Sequence, residues 1–258
     1  MKVTKEMERN FRAKAKEEII YPDSDGQPMA ENTLQFDWIV KIKENLEIMF
    51  ANDPNVFVAG DLLWYPVEGN NKTRMAPDAM VAFGRPKGFR GSYMMWKEDN
   101  ISPQVVFEIL SPGNTPSEMR RKFEFYDTYG VEEYYVFDPE KIILKGWIRL
   151  GSELAPIEEI DGWVSPRLKI RFEIKKDDLH IVRPDGREFL SPLEINKSYE
   201  IEHKKVEIER HRVIEEQKRA EEERQRAEAE RQRADVERMK AERLADKLRS
   251  LGIDPASL

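Results

Sequence analysis

Cysteine is absent from this 258-residue chain, and histidine occurs only three times. Without cysteine there can be no disulfide bond, no thiolate zinc site and no cysteine nucleophile. Two of the histidines, His203 and His211, fall in a densely charged C-terminal segment, which leaves His180 alone in the rest of the chain. A histidine metal centre or a histidine-based catalytic triad is therefore hard to assemble from this sequence.

Long apolar runs are also missing, since no stretch approaches the ~18 consecutive apolar residues that indicate a membrane span. Residues 1–20 are charged and lack the apolar core of a secretion signal. We therefore expect a charged N-terminal segment over residues 1–20, no secretion, no membrane span and a cytoplasmic location.

An excess of positive charge is lacking as well, because the chain has a net charge of −7. Between Glu200 and Ser250 there are 15 basic and 15 acidic residues, so residues 1–199 hold 28 basic and 34 acidic side chains, a net charge of −6. An acidic globular part is a poor non-specific binder of polyanions. It suits instead a site whose carboxylates recruit divalent cations.

The apolar pattern predicts one α/β domain over residues 21–190. Apolar residues recur at helical spacing within residues 29–50, which predicts a helix that packs on a sheet. A second helix is predicted over about residues 115–129, ended by Gly130. The last four predicted strands should extend the sheet in antiparallel order. The predicted strands cover residues 56–58, 62–65, 79–83, 105–110, 134–137, 142–149, 154–160, 168–174 and 179–183.

The C-terminal part has neither proline nor glycine between Leu193 and Leu251, which predicts one long helix over residues 191–251 and a short tail over residues 252–258. It contains the seven-residue repeats EEQKRAE, EERQRAE, AERQRAD and VERMKAE. One position per repeat is apolar, mostly alanine, whereas a firm coiled coil uses two. Glutamate–arginine pairs one turn apart can support an isolated helix. The segment therefore predicts either a solvated single helix or a weak coiled coil.

Two acidic residues stand in strand-like surroundings. Glu108 lies within residues 105–110, which have the pattern of a strand buried on both faces. A carboxylate there is costly to desolvate unless a metal ion or a lysine meets it, and Lys122 is one short connection away. Asp78 follows Pro77 at the entry to another apolar strand. Singly, these are explained by a solvent-facing sheet residue, a solvated lysine and a strand-entry acid, but jointly they favour a catalytic site.

The segments PDAMVAF, VVFEILSPGN and KFEFYDTYGVEEYYVFDP resemble the Uma-type restriction endonucleases of the PD-(D/E)XK nuclease superfamily. The resemblance covers roughly residues 20–190. It implies an α/β fold with a restriction-endonuclease-like central mixed sheet flanked by helices. Two positions depart from the pattern: Leu110 stands where the superfamily has its lysine, which in this branch has moved to Lys122, and Glu118 stands where the branch usually has an aspartate.

The resemblance also implies a function, namely Mg²⁺-dependent hydrolysis of DNA phosphodiester bonds, with Mn²⁺ as an alternative metal. Asp78, Glu108 and the backbone carbonyl of Ile109 would bind the metal through oxygen. Lys122 would orient the attacking water or stabilise the charge that develops on the phosphate.

Several other residues have both a functional and an ordinary interpretation. The loop over residues 84–100 could contact DNA phosphates and a base, although a surface loop is an equally good explanation. Its basic and aromatic residues are Arg85, Lys87, Arg90, Tyr93 and Trp96. Asp61 could add a third acid but is better explained as structural. Glu31 could be the glutamate that the superfamily often adds from its first helix, but complementing the helix dipole is the better explanation.

A second hypothesis concerns a different class of function. The chain could keep the nuclease fold without cleavage and act as a binding or scaffold protein. In that case the C-terminal helix would mediate self-association or partner binding, and a homo-oligomer could form through either the domain or the helix.

Overall fold

The computed structural model describes residues 19–24, 26 and 28–250, and it divides the chain into two compact units, Met1–Glu194 and Ile195–Leu258. Nearly all of the predicted N-terminal segment and the whole of the predicted tail over residues 252–258 lie outside the described residues.

A six-stranded mixed sheet forms the centre of the first unit, in the order β1-β3-β5-β6-β7-β8. The β5–β6 pair is parallel and the other four pairs are antiparallel. A short parallel pair, β2 and β4, lies apart from this sheet. The predicted mixed sheet is therefore confirmed. The bounds of the eight strands are β1 Val56–Ala59, β2 Trp64–Tyr65, β3 Ala79–Phe83, β4 Tyr93–Met94, β5 Val105–Ile109, β6 Glu133–Asp138, β7 Ile143–Leu150 and β8 Glu153–Pro156.

Each central strand is buried on both faces, because successive side chains point to opposite sides of the sheet. In β5, Val105, Phe107 and Ile109 belong to one hydrophobic cluster, whereas Val106 belongs to a second cluster on the other face. The same alternation holds in β3 and β6. Even-numbered residues of β3 and β5 therefore share the second face, which decides where Glu108 points.

Helix α1, Thr33–Met49, covers the first face through Trp38, Ile39, Ile42 and Leu46. Its start is fixed by Asn32, whose side chain accepts a hydrogen bond from the backbone N–H of Gln35 at 2.8 Å. The helix begins four residues later than residue 29, where the prediction placed it. The apolar stripe was predicted correctly.

Helix α2, Pro116–Thr128, connects the parallel strands β5 and β6 and covers the second face. Thr115 caps its start by accepting from the backbone N–H of Glu118 at 3.2 Å. Pro116 at the first helical position needs no hydrogen-bond partner for a missing N–H. The chain leaves the helix through Gly130, whose φ of 84° is accessible to glycine at little cost.

The predicted antiparallel extension is confirmed only for β7 and β8. Strand β8 ends at Pro156 rather than continuing to residue 160, since proline cannot donate to the next ladder bond. Ile157 and Ile160 instead pack against the first hydrophobic cluster. They approach Gly146 of β7 so closely that a Cβ there would lie 2.8 Å from Ile160 Cδ1 and 2.9 Å from Ile157 Cδ1.

The last two strands, β9 Arg171–Lys175 and β10 Asp178–Val182, form a separate two-stranded antiparallel sheet. Their inner side chains, including Phe172, Leu179 and Ile181, join the cluster beneath α1. They thicken the core rather than widening the central sheet. A pattern of short alternating strands fits either arrangement, so the prediction that they extend the sheet was wrong.

The long helix α3, Pro192–Ser250, has 59 residues and confirms the predicted C-terminal helix. At about 1.5 Å per residue it is roughly 88 Å long. Nearly all of its described side chains are exposed. None of the helices in the described part of the chain is both long and apolar enough to span a membrane.

Candidate active site

Asp78 and Glu108 come together on the face of the sheet that α2 covers. Strands β3 and β5 are antiparallel with Ala79 opposite Phe107, and this register continued by one residue sets Asp78 opposite Glu108. Residues directly opposite in an antiparallel pair project to the same face. Both side chains are buried, with exposed fractions of 9% for Asp78 and 2% for Glu108. Neighbouring strands therefore supply two adjacent carboxylates beneath one helix.

Glu108 is held by two side chains from α2. The ammonium of Lys122 donates to Glu108 Oε2 at 2.6 Å, and the hydroxyl of Tyr126 donates to Glu108 Oε1 at 2.5 Å. Lys122 and Tyr126 are four residues apart, which places them on one face of the helix. The structure thus brings Lys122 to the acids, as the sequence predicted.

Tyr126 was missed as a site residue, since the sequence pattern assigned it only to the apolar face of α2. The available signal was its spacing of four residues from Lys122. Its side chain is completely buried, and its hydroxyl faces a carboxylate rather than solvent. Tyr126 therefore orients Glu108.

Burial raises the pKa of Asp78 well above its ordinary value, and the adjacent Glu108 raises it further. Lys122 and the backbone N–H of Ile109, which donates to Asp78 Oδ2 at 2.6 Å, act in the opposite direction but do not cancel the effect. Asp78 thus holds a proton more tightly than an aspartate in water. This is the behaviour of a carboxyl group that lacks a full positive counter-charge.

Lys122 and Tyr126 respond to the same cluster. Burial by itself lowers the pKa of Lys122, but Glu108 and Asp78 outweigh this effect, and the pKa of Lys122 is raised. Burial raises the pKa of Tyr126 well above its usual value, and Glu108 raises it further. Lys122 therefore carries a firmly held positive charge, and Tyr126 remains a neutral hydrogen-bond donor.

The backbone carbonyl of Ile109 is engaged by a residue that the sequence analysis missed. Gln35 on α1 donates from Nε2 to this carbonyl oxygen at 2.8 Å, and its Oε1 accepts from the backbone N–H of Glu31 at 2.8 Å. Gln35 is 6% exposed and interrupts an otherwise apolar helix face. That interruption was the signal that it has a specific partner. Gln35 fixes the end of β5 beside the two acids.

A cavity of about 550 Å³ opens over Asp78 and Lys122, between the starts of α1 and α2. It is lined mainly by charged and polar residues, including Asp61, Glu118, Arg74 and Arg121. Asp61 is close enough to raise the pKa of Asp78 further. The cavity therefore gives the acidic pair access to a ligand and places two arginines nearby.

Glu31 also lines this cavity, but its carboxylate does not bond to the start of α1. Its Oε2 accepts from Ser111 Oγ at 2.5 Å and from the backbone N–H of Gly113 at 3.1 Å. A Cβ at Gly113 would collide with the Glu31 carboxylate, so the turn after β5 needs glycine at this position. Glu31 thus ties the β5–α2 connection to the start of α1.

The donor chemistry of the site fits a hard divalent cation. Asp78, Glu108 and the Ile109 carbonyl offer only oxygen atoms, which Mg²⁺ and Mn²⁺ prefer. Within the ranges that the structure describes, no group of three or more histidine or acidic residues is arranged to hold a metal ion. The carbonyl and remaining positions filled by water would have to complete the coordination sphere, as is usual for Mg²⁺.

The basic loop over residues 84–100 has its charges neutralised within the domain. Arg85 and Arg90 both pair with Glu98, at 3.0 and 2.6 Å, and Lys87 pairs with Glu47 at 2.8 Å. Tyr93, the aromatic residue suggested for base contact, is fully buried in this structure. These cations brace the loop, and the DNA-contacting interpretation loses its main support.

The sequence model of the Uma2 family, described as "Putative restriction endonuclease", matches residues 12–174. The chain belongs to the Uma2 family. Among solved structures, it is similar to "a putative nuclease belonging to DUF820 from Anabaena variabilis ATCC 29413", with 14% sequence identity and a TM-score of 0.40. That match covers 54% of this chain and 74% of the other. No curated protein matches the chain.

Proposed function

We propose that this Uma2-family protein is a divalent-metal-dependent endonuclease that hydrolyses phosphodiester bonds in DNA. The observation that carries the proposal is the juxtaposition of Asp78 and Glu108 on one face of the sheet, directly beneath Lys122. A purely structural buried ion pair needs one carboxylate for one lysine. The second buried carboxylate, with its raised pKa, is the feature that a cation would relieve.

Asp78, Glu108 and the Ile109 carbonyl would hold Mg²⁺, with Mn²⁺ as a substitute. When bound, the metal supplies a bound water of lowered pKa and offsets charge on the scissile phosphate. Asp78 gives up its proton when the cation binds. Tyr126 and Gln35 keep Glu108 and the Ile109 carbonyl in place through hydrogen bonds that are already present.

Lys122 acts on the phosphate or on the attacking water. Its ammonium lies against Glu108 and its side chain is 14% exposed at the cavity, so a short movement carries it from the carboxylate to a bound phosphate oxygen. A fixed positive charge at that point stabilises the extra negative charge of the transition state more than that of the substrate. Arg74 and Arg121 line the same cavity and can contact flanking phosphates.

The direct test is nicking of supercoiled plasmid DNA in Mg²⁺ or Mn²⁺ by the wild type and Glu108→Gln. The variant keeps the size of the side chain and an oxygen for the Tyr126 hydroxyl, while it removes the negative charge. Glu124→Gln on the exposed side of α2 is the matched control. We expect activity to be lost in Glu108→Gln and kept in the control. Equal activity in all three proteins would refute the proposal.

One feature favours the second candidate function, a scaffold that self-associates through α3. Tyr199, Val206 and Val213 recur every seven residues along α3 with exposed fractions of 67%, 60% and 44%. A strict seven-residue spacing suits a left-handed supercoil rather than an isolated helix. Sedimentation equilibrium of the full chain and of Val206→Glu tests this candidate. A wild-type protein that stays monomeric at all concentrations would exclude it.

A further inference from the structure

A second cavity lies on the other side of the start of α2, between this helix and strands β6 and β7. Its volume is about 540 Å³, within the range of ligand-binding pockets. Asn114 lines both this cavity and the one over the acidic pair, so the two meet at the turn that begins α2. A polymer bound at the candidate active site would therefore pass beside it.

The walls of this second cavity are aromatic and apolar. Phe123 and Trp147 line it, with ring centroids 5.6 Å apart at an interplanar angle of 63°, and Met119 extends the same surface. Both rings are only partly buried. Partly exposed aromatic faces in a cleft are the usual platform for stacking a nucleobase.

The rim of the cavity is positively charged, although the chain as a whole is acidic. Arg120 and Lys145 line it, are exposed, and form no ion pair with any residue in the described part of the chain. The acid at the rim, Asp138, is paired with Lys141 at 2.7 Å. The rim therefore keeps two uncompensated positive charges beside an aromatic wall, which complements an anion attached to a flat ring.

We propose that this cleft binds one nucleotide of the nucleic-acid substrate, with the base against Trp147 and Phe123 and its phosphate at Arg120 and Lys145. The inference rests on the proposed nuclease function and adds a subsite to it. A nucleotide displaced from the stack next to the cleaved bond would gain stacking and charge contacts here, and it would give the enzyme a means to prefer some bases over others.

The test measures binding of dAMP to the full-length protein in EDTA by saturation-transfer NMR, with deoxyadenosine and inorganic phosphate as separate ligands. EDTA removes divalent metal, so the acidic site does not contribute. We expect dAMP to bind at least about fivefold more tightly than either fragment, since base stacking and phosphate contact both contribute. Equal affinity for dAMP and phosphate, or binding of none of the three, would overturn the inference.

Two charge reversals locate the site. Lys145→Glu should weaken dAMP binding about fivefold or more. Lys176→Glu, an exposed lysine in the β9–β10 turn that lines neither cavity, should leave it unchanged. Equal effects of both variants would overturn the inference. Plasmid nicking separates the two proposals, because dAMP binding without nicking removes only the nuclease function, and nicking without dAMP binding removes only the subsite.

Discussion

Replacing Asp78 by asparagine should stabilise the protein when no divalent metal is present. Asp78 is 9% exposed and faces Glu108 across the sheet, and Lys122 hydrogen-bonds to Glu108 rather than to Asp78. Asparagine can still accept a hydrogen bond from the Ile109 N–H while it removes the buried charge. A buried polar or charged group without full compensation costs about 1–3 kcal/mol, and we expect the free energy of unfolding to rise by this amount at neutral pH. For a domain of this size the rise corresponds to roughly 2–12 °C in Tm.

The pH dependence of this difference has a defined sign. Because the folded-state pKa of Asp78 lies above its unfolded value, folding favours the protonated form. That contribution to wild-type stability is fully present below the unfolded pKa, about 3.9, and is lost as pH rises through the folded pKa. The advantage of Asp78→Asn should therefore be near zero at low pH and reach its full value above the folded pKa.

The assay is thermal unfolding from pH 4 to pH 8 in EDTA, with Asp138→Asn as a control of opposite sign. The hydrogen bonds and charge of Lys141, against a smaller effect of burial, lower the pKa of Asp138, so its loss should destabilise the protein above the unfolded pKa and matter less as pH falls. Adding Mn²⁺ should raise the Tm of the wild type and not that of Asp78→Asn. A lower Tm for Asp78→Asn in EDTA at pH 7 would refute the assignment of Asp78 as an uncompensated buried acid.

Three other substitutions test the surroundings of the site. Tyr126→Phe removes a buried hydrogen bond to the Glu108 carboxylate and should lower the free energy of unfolding by about 1.5–3 kcal/mol in denaturant titrations, whereas Tyr129→Phe on the same helix should have little effect. Gln35→Leu leaves the Ile109 carbonyl without its side-chain donor, so it should cost about 1–3 kcal/mol in the same titrations and weaken the Mn²⁺-induced rise in Tm. Gly146→Ala crowds the side chains of two core isoleucines and should lower the free energy of unfolding by about 1–3 kcal/mol, and an unchanged denaturation midpoint would show that this packing relaxes freely.

The sequence predicted the acidic pair and its lysine because each lies within a strong local pattern. Glu108 is surrounded by apolar strand residues, and a carboxylate in that position needs a partner. The helix that carries Lys122 follows directly after a proline–glycine turn, so the distance between them is set by a short connection. The register that faces Asp78 with Glu108 could not be derived from local pattern, because the pairing of β3 with β5 depends on contacts between distant segments.

The roles of Gln35 and Tyr126 were missed for the opposite reason. Each lies at a position that helical periodicity assigns to the core, and only the tertiary structure shows that its polar atom meets the end of β5 or Glu108. The basic loop failed differently, because its arginines have an acidic partner, Glu98, within the same loop. Local charge density indicates a ligand only when no nearby residue neutralises it.

The measurement that tests the central claim most directly is a crystal structure of the protein soaked in Mn²⁺, with anomalous data collected for the metal. The account predicts an anomalous peak between the Asp78 and Glu108 carboxylates, within about 2.0–2.3 Å of one oxygen of each. It also predicts no such peak in Glu108→Gln treated in the same way. Wild-type crystals without a peak between these two carboxylates, or with Lys122 still bonded to Glu108 and manganese bound elsewhere, would contradict it.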